Sequence, residues 1–289
     1  AVVVTDTASR LVALGTLEDT QDLVDHLRFA AERIARPSTS ASSRRAAITS
    51  AESIADSLRR KLIDPCAAAG SRLVVIPSRG LHGVPWGLVC KRPIETAPSA
   101  AEWVAARRRT IRQGSALVVH GPDLEHAAAE VGAISEATGA SVARTVGETI
   151  RHLGNASSAH FACHTRPRVD SPMFSSLMLD DGDLTLHDIE RLGTVPSTIV
   201  LATCAAGSTV LASGEEIVSV AGAFLAMGAK TVVAPLFTVS DETTYRMMEL
   251  FHASVAAGND PATVLNELRE SDNQDVGFTA GSFSCFGSC

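Results

Sequence analysis

Two stretches of this 289-residue chain carry an apolar run into a group able to do chemistry. The first is Ala159-His160-Phe161-Ala162-Cys163-His164-Thr165, and the second is Ile199-Val200-Leu201-Ala202-Thr203-Cys204-Ala205-Ala206-Gly207. Each reads as a β-strand whose last residue, or the next, is reactive. A thiol titrating near 8.5 is mostly protonated at neutral pH. A neighbouring imidazole can take that proton and later return it to a leaving amine. Cys204 is therefore the candidate nucleophile and His164 the candidate general base. Ala205, Ala206 and Gly207 are small enough to admit a substrate backbone. Backbone N–H groups at Cys204 and near Thr165 are the candidate oxyanion donors, each worth about 3 kcal/mol.

Other chemistry fits the pattern less well. His160, Cys163, His164 and Cys204 include types that ligate zinc, but side chains alternate along a strand, so Cys163 points away from His164. The sequence contains no CxxC, no GxSxG, no P-loop and no GxGxxG, which removes the common redox, serine hydrolase and nucleotide readings. No metal and no cofactor is expected. Asp170 and Asp241 fall in loops near the expected rim. They suit either the walls of a substrate pocket or the capping of turns and helices. His82, in a Gly-Leu-His-Gly turn, reads as a turn residue.

What must position the pair is a parallel sheet, whose strands end on one edge, where ligand sites of open α/β folds form. His164 and Cys204 are forty positions apart, enough for a crossover through a helix at 184–192. Apolar β-rich runs do alternate with helical patterns along the chain. Strands are expected at 2–5, 11–14, 73–76 (the last strong and buried), 116–119, 142–146, 158–163, 198–202 and 231–234. Helices are expected at about 19–35, from the serine-rich loop 37–43 to about 63, from a cap at Asp123 to Gly139, before Gly228, after Ser240 with Met247, Leu250, Phe251 and Val255 inward, and from Asp260-Pro261. Residues 279–286 read as a final edge strand. The expected division is an N-terminal α/β subdomain, residues 1–115, elaborating the sheet, and a catalytic core, residues 116–289.

Bulk properties agree with an ordinary globular domain. Hydrophobic residues make up 45%, and the formal charge of −7 argues against direct nucleic-acid binding. The run 217–229 is too short to span a bilayer, and no signal-peptide pattern opens the chain, so no membrane association is expected. Six cysteines without a tight framework read as reduced thiols in a cytoplasmic setting.

Taken in order, seven blocks resemble the CHAT family, caspase-like peptidases related to caspases and separases. They are Leu73–Trp86, His160–Thr165, Ser171–Leu192, Leu201–Gly207, Gly214–Leu225 with Gly228-Ala229, Val232–Asp241 and Ala280–Gly287. The resemblance spans about residues 70–289. It implies a caspase-like three-layer α/β/α sandwich with a mostly parallel sheet. It also implies endopeptidase activity on protein substrates, without a cofactor, through His164 and Cys204. Upstream repeat arrays or sensor modules usually switch such domains on, and the abrupt start of the chain fits a missing regulatory half. One departure is Thr165, where the family often has glycine after the histidine; its Cβ constrains the backbone there. A catalytically silent scaffold that binds protein partners is the alternative.

Overall fold

The computed structural model describes residues 1–66, 70, 72–78, 80–168, 170–202 and 214–289, with side chains from residue 220 in the last of these. Val2–Val4 (β1) and Ser9–Leu11 (β2) form a small antiparallel hairpin, so the second strand ends where the sequence pattern begins it. Glu18–Ala35 (α1) and Ala41–Leu62 (α2) pack on each other. The serine-rich loop is shorter than expected because Ser40 caps α2, its hydroxyl accepting from Ser43 N–H.

Leu73–Val75 (β3), Trp86–Val89 (α3), Ile94–Thr96 (β4) and Ala100–Arg108 (α4) follow. Next come Ala116–His120 (β5), Ala127–Thr138 (α5), Ser141–Ala143 (β6), Val146–Leu153 (α6) and Ser158–Ala162 (β7). Helix α6, opened by a Thr145/Glu148 capping box, takes Val146 away from the expected strand 142–146. Thr165–Arg166 (β8), Ser176–Leu179 (β9) and Gly182–Thr185 (β10) then form a three-stranded side sheet. The chain closes with Leu186–Glu190 (α7), Thr198–Leu201 (β11), Gly214–Ala226 (α8), Thr231–Pro235 (β12), Asp241–Ala256 (α9), Pro261–Arg269 (α10), Gln274–Ser282 (α11) and Phe283–Gly287 (β13).

The central sheet has eight strands in the order β3-β4-β13-β12-β11-β7-β5-β6. Every pairing is parallel except β12 with β13. Strands β12, β11, β7, β5 and β6 thus run one way, and β13, β4 and β3 the other. Two expectations are corrected here. Residues 279–286 are not an edge strand: Thr279–Ser282 finish α11, and β13 lies inside the sheet between β4 and β12. The strand at 73–76 is itself the edge, with Leu73, Val74 and Val75 half-buried and Ile76 exposed. The reversal also places the turn at 80–86, which follows β3, toward the opposite edge from the end of β7.

Alternation along the strands feeds two cores. In β7, Ala159 and Phe161 belong to one core cluster, with residues of α1, α2, α6, α7 and α8, and Ala162 belongs to a second, with residues of α5, α9 and α10. This is a mostly parallel sheet covered on both sides, as expected. On α9 Met247, Met248 and Phe251 are buried and Val255 packs half-buried against the same core, as expected, while Leu250 is exposed. Cys285 and Cys289 lie close to each other, with Cα atoms 7.6 Å apart. Gly287, at φ 92°, folds the chain back between them. No helix among the described residues is long and apolar enough to cross a membrane.

Candidate active site

Strands β5, β7 and β11 end on one rim. Thr198 pairs with Ser158 and Leu201 with Phe161, an in-register parallel offset of forty residues. The ladder continues one step further, where Ala202 N–H donates to the Phe161 carbonyl at 3.0 Å. On the other side Gly121 N–H donates to the Ala162 carbonyl at 2.9 Å, extending β5 past its last strand residue.

His164 stands two residues beyond β7 and is half-buried. Its carbonyl accepts from Met178 N–H at 2.9 Å, so the side sheet anchors its backbone. Its ring is oriented by Asp123: Nε2 lies 3.3 Å from the Asp123 carbonyl oxygen. A carbonyl only accepts, so Nε2 carries the proton in this contact. Asp123 adopts φ 62°, the one positive φ among described non-glycine residues. The preceding Pro122 favours a turn whose next position needs φ > 0, which Asp tolerates better than most residues.

That conformation corrects the expected role of Asp123. It does not cap α5; the cap position belongs to His126, which makes no side-chain cap bond. The His126 N–H instead donates to Asp241 Oδ2 at 2.8 Å. Asp241, expected either at a pocket wall or at a cap, is the first residue of α9 and spends that oxygen on the start of α5. Asp170 is exposed, four residues beyond β8. Thr165 begins β8 and pairs with Leu177. Cys204, and with it the expected oxyanion N–H at that position, lies outside the described residues.

Cys163, next to the candidate base, is no rival nucleophile. It is fully buried, and burial pushes its thiol far above the usual range. His160 is also excluded from a metal site, because both its ring nitrogens are engaged. Nε2 meets Glu130 Oε1 at 2.8 Å, and Nδ1 meets His252 Nε2 at 3.0 Å. The described residues contain no cluster of three metal-ligating side chains. Burial, and secondarily the charge of Asp241, raises the Glu130 carboxyl to about 8. Burial lowers His160 to about 3 and holds His252 well below the ordinary histidine value.

Sequence reasoning did not find the Asp123 carbonyl, the Glu130–His160–His252 chain, or His120. His120 ends β5 at the same rim, with Nδ1 2.8 Å from the Gly121 carbonyl oxygen. The Pro122-Asp123 pair was the available signal for the first. The buried chain joins three elements whose nearest members are 30 residues apart, and it left no local pattern.

Comparison with known proteins adds the following. The family model described as CHAT domain matches residues 50–275. No curated protein sequence matches the chain. Two structures of the Saccharomyces cerevisiae separase–securin complex are similar in fold. One has a TM-score of 0.54 at 12% identity over 99% of this chain, and the other 0.55 at 11% over 96%. This chain spans only 22% and 23% of those separase chains. The Arg-specific cysteine proteinase gingipain R aligns over 93% of the chain and 74% of its own length, at 13% identity and a TM-score of 0.46.

Proposed function

Because this chain belongs to the CHAT domain family and has a caspase-like fold, we propose that it is a cysteine endopeptidase acting through Cys204 and His164. The observation that carries the reading is the register of β11 on β7. Its offset of forty residues equals the separation of Cys204 from His164 in the sequence, which supports pairing the thiol with the imidazole.

The chemistry then runs as follows. The His164 imidazole takes the Cys204 proton, and the thiolate attacks the scissile carbonyl carbon. Backbone N–H groups at Cys204 and Thr165 stabilise the tetrahedral anion. Collapse expels the amine, which receives the proton from the imidazolium. Water, deprotonated by the same imidazole, hydrolyses the thioester and releases the thiol. Substrates are proteins or peptides, and no cofactor is needed. A regulatory repeat or sensor module upstream or in a partner is the proposed source of control. The thiol must stay reduced, which a cytoplasmic setting supplies.

A second reading, a silent scaffold, draws on Thr165, whose side chain occupies a place where the family often has none. Two measurements separate them. Cys204→Ala and His164→Ala each abolish cleavage of a denatured protein substrate while leaving thermal unfolding unchanged; cleavage persisting in Cys204→Ala removes the assignment. A peptide carrying a thiol-reactive warhead labels Cys204 fastest, and only when His164 is intact. Slow, uniform labelling supports the scaffold.

A further inference from the structure

We propose that Asp241 is a positioning residue for His164, acting through the loop 121–126. The inference rests on the reading of His164 as the base and says how its orientation is kept. The loop is tied at both ends. At its start, Gly121 N–H donates to the Ala162 carbonyl, continuing the sheet. At its end, His126 N–H donates to Asp241 Oδ2 at 2.8 Å, across 115 residues of sequence. The His126 and Tyr245 rings stack with centroids 6.2 Å apart and planes within 3°, a second tie between the loop and α9.

Between those ties sits Asp123 at φ 62°. A left-handed conformation at a residue with a Cβ persists only when its surroundings over-determine it. The consequence is where its carbonyl points, which is toward His164 Nε2 at 3.3 Å. The Asp241 carboxylate therefore never touches substrate. It fixes the end of the loop, the loop fixes a carbonyl, and the carbonyl fixes the tautomer and direction of the imidazole. Cutting the His126–Asp241 bond lets Asp123 relax toward negative φ and withdraws the acceptor from Nε2.

The test compares Asp241→Ala with Asp241→Asn in the full chain. Asparagine keeps an oxygen for the His126 N–H; alanine does not. Two readouts are needed: kcat and KM on a peptide substrate across pH, and the His164 tautomer from side-chain nitrogen NMR. In Asp241→Ala, kcat falls about ten- to a hundredfold with KM within about twofold, and the Nε2–H tautomer gives way to a mixture. Asp241→Asn recovers most of both. If Asp241→Ala does not fold, His126→Pro removes the same bond from the donor side and is expected to act alike.

An unchanged Nε2–H tautomer in Asp241→Ala, or an asparagine variant as impaired as alanine, overturns the proposal. A rise in KM with kcat unchanged overturns it too, because that marks a substrate contact. The tautomer readout does not depend on catalysis. A tautomer shift in a protein without Cys204-dependent cleavage supports the positioning role and removes the peptidase reading.

Discussion

Glu130 Oε1 and His160 Nε2 lie 2.8 Å apart with both side chains 2% exposed, and His252 closes the chain on the far side of the imidazole. A carboxyl and two imidazoles sealed between the sheet, α5 and α9 make stability depend on pH with two opposed slopes. Glu130 titrates near 4.5 when unfolded and about 8 when folded, so between those values the native state holds a proton the unfolded chain has released. Its contribution falls as pH rises through that range. His160 titrates near 6.5 unfolded and about 3 folded, so its contribution rises over pH 3 to 6.5, and His252 acts in the same direction. Above 6.5 only the Glu130 slope remains. Denaturant unfolding is expected to show a loss of about 2 kcal/mol between pH 6.5 and 8. Glu130→Gln, which cannot ionise, is expected to flatten that limb while leaving the acid limb in place.

The Asp123 backbone is a separate test. Asp123→Gly should be tolerated, since glycine adopts φ 62° freely and the carbonyl is retained. Asp123→Val should cost about 1–2 kcal/mol, because a β-branched residue resists the left-handed region. Calorimetric midpoints of the two variants check this. Equal midpoints refute the strain argument.

Gly121 is required for a different reason, close approach. A Cβ built there would lie 2.6 Å from the Cys163 Cβ and closer still to the Met178 carbonyl oxygen. Both neighbours are fixed, one by β7 and one by the side sheet. Gly121→Ala should cost about 1–3 kcal/mol by forcing β5 and β9 apart, and any cleavage activity should fall with it. Wild-type stability in this variant contradicts the packing described.

Glu95 offers a fourth prediction, away from the site. Its buried carboxylate accepts from Arg72 Nη1 at 2.7 Å, Trp103 Nε1 at 2.7 Å and the Cys289 N–H at 3.0 Å. Glu95→Ala leaves the Trp103 and Cys289 donors without that acceptor and should cost about 2–4 kcal/mol. Arg72→Ala should cost less, because the guanidinium is one-third exposed and the two N–H donors remain to hold the carboxylate. The reverse order in denaturant unfolding contradicts this ranking.

The rim itself was legible in the sequence. The β-branched run 198–201 and the alternation of Ala159, His160, Phe161 and Ala162 mark two doubly covered strands, and their forty-residue offset is the one the ladder uses. Gly139 and Gly228 correctly ended their helices, both at positive φ. What failed was decided by distant partners. Residues 279–286 carry no charge, proline or long polar side chain, so nothing local separates the helical half from the strand half; contacts with β4 and β12 make that division. Asp123 followed by an amphipathic pattern is a fair cap signal, yet Asp241, 115 residues from His126, supplies the bond to that helix start. Of the candidate site, the type and place of the imidazole could be read. The carbonyl that orients it could not, because backbone direction at φ 62° has no counterpart in residue spacing.

The direction of β13 also bears on how the sheet is assembled. Among the described residues it is the only strand linking the pair β3–β4 to the five strands that carry the rim, and its partner in β4 lies about 190 residues earlier. The first strands of the sheet to leave the ribosome must therefore wait for residues 283–287 before they can dock. Loop closure on that scale is slow. Until it occurs, β12 has a bare edge open to pairing with the same edge of another copy.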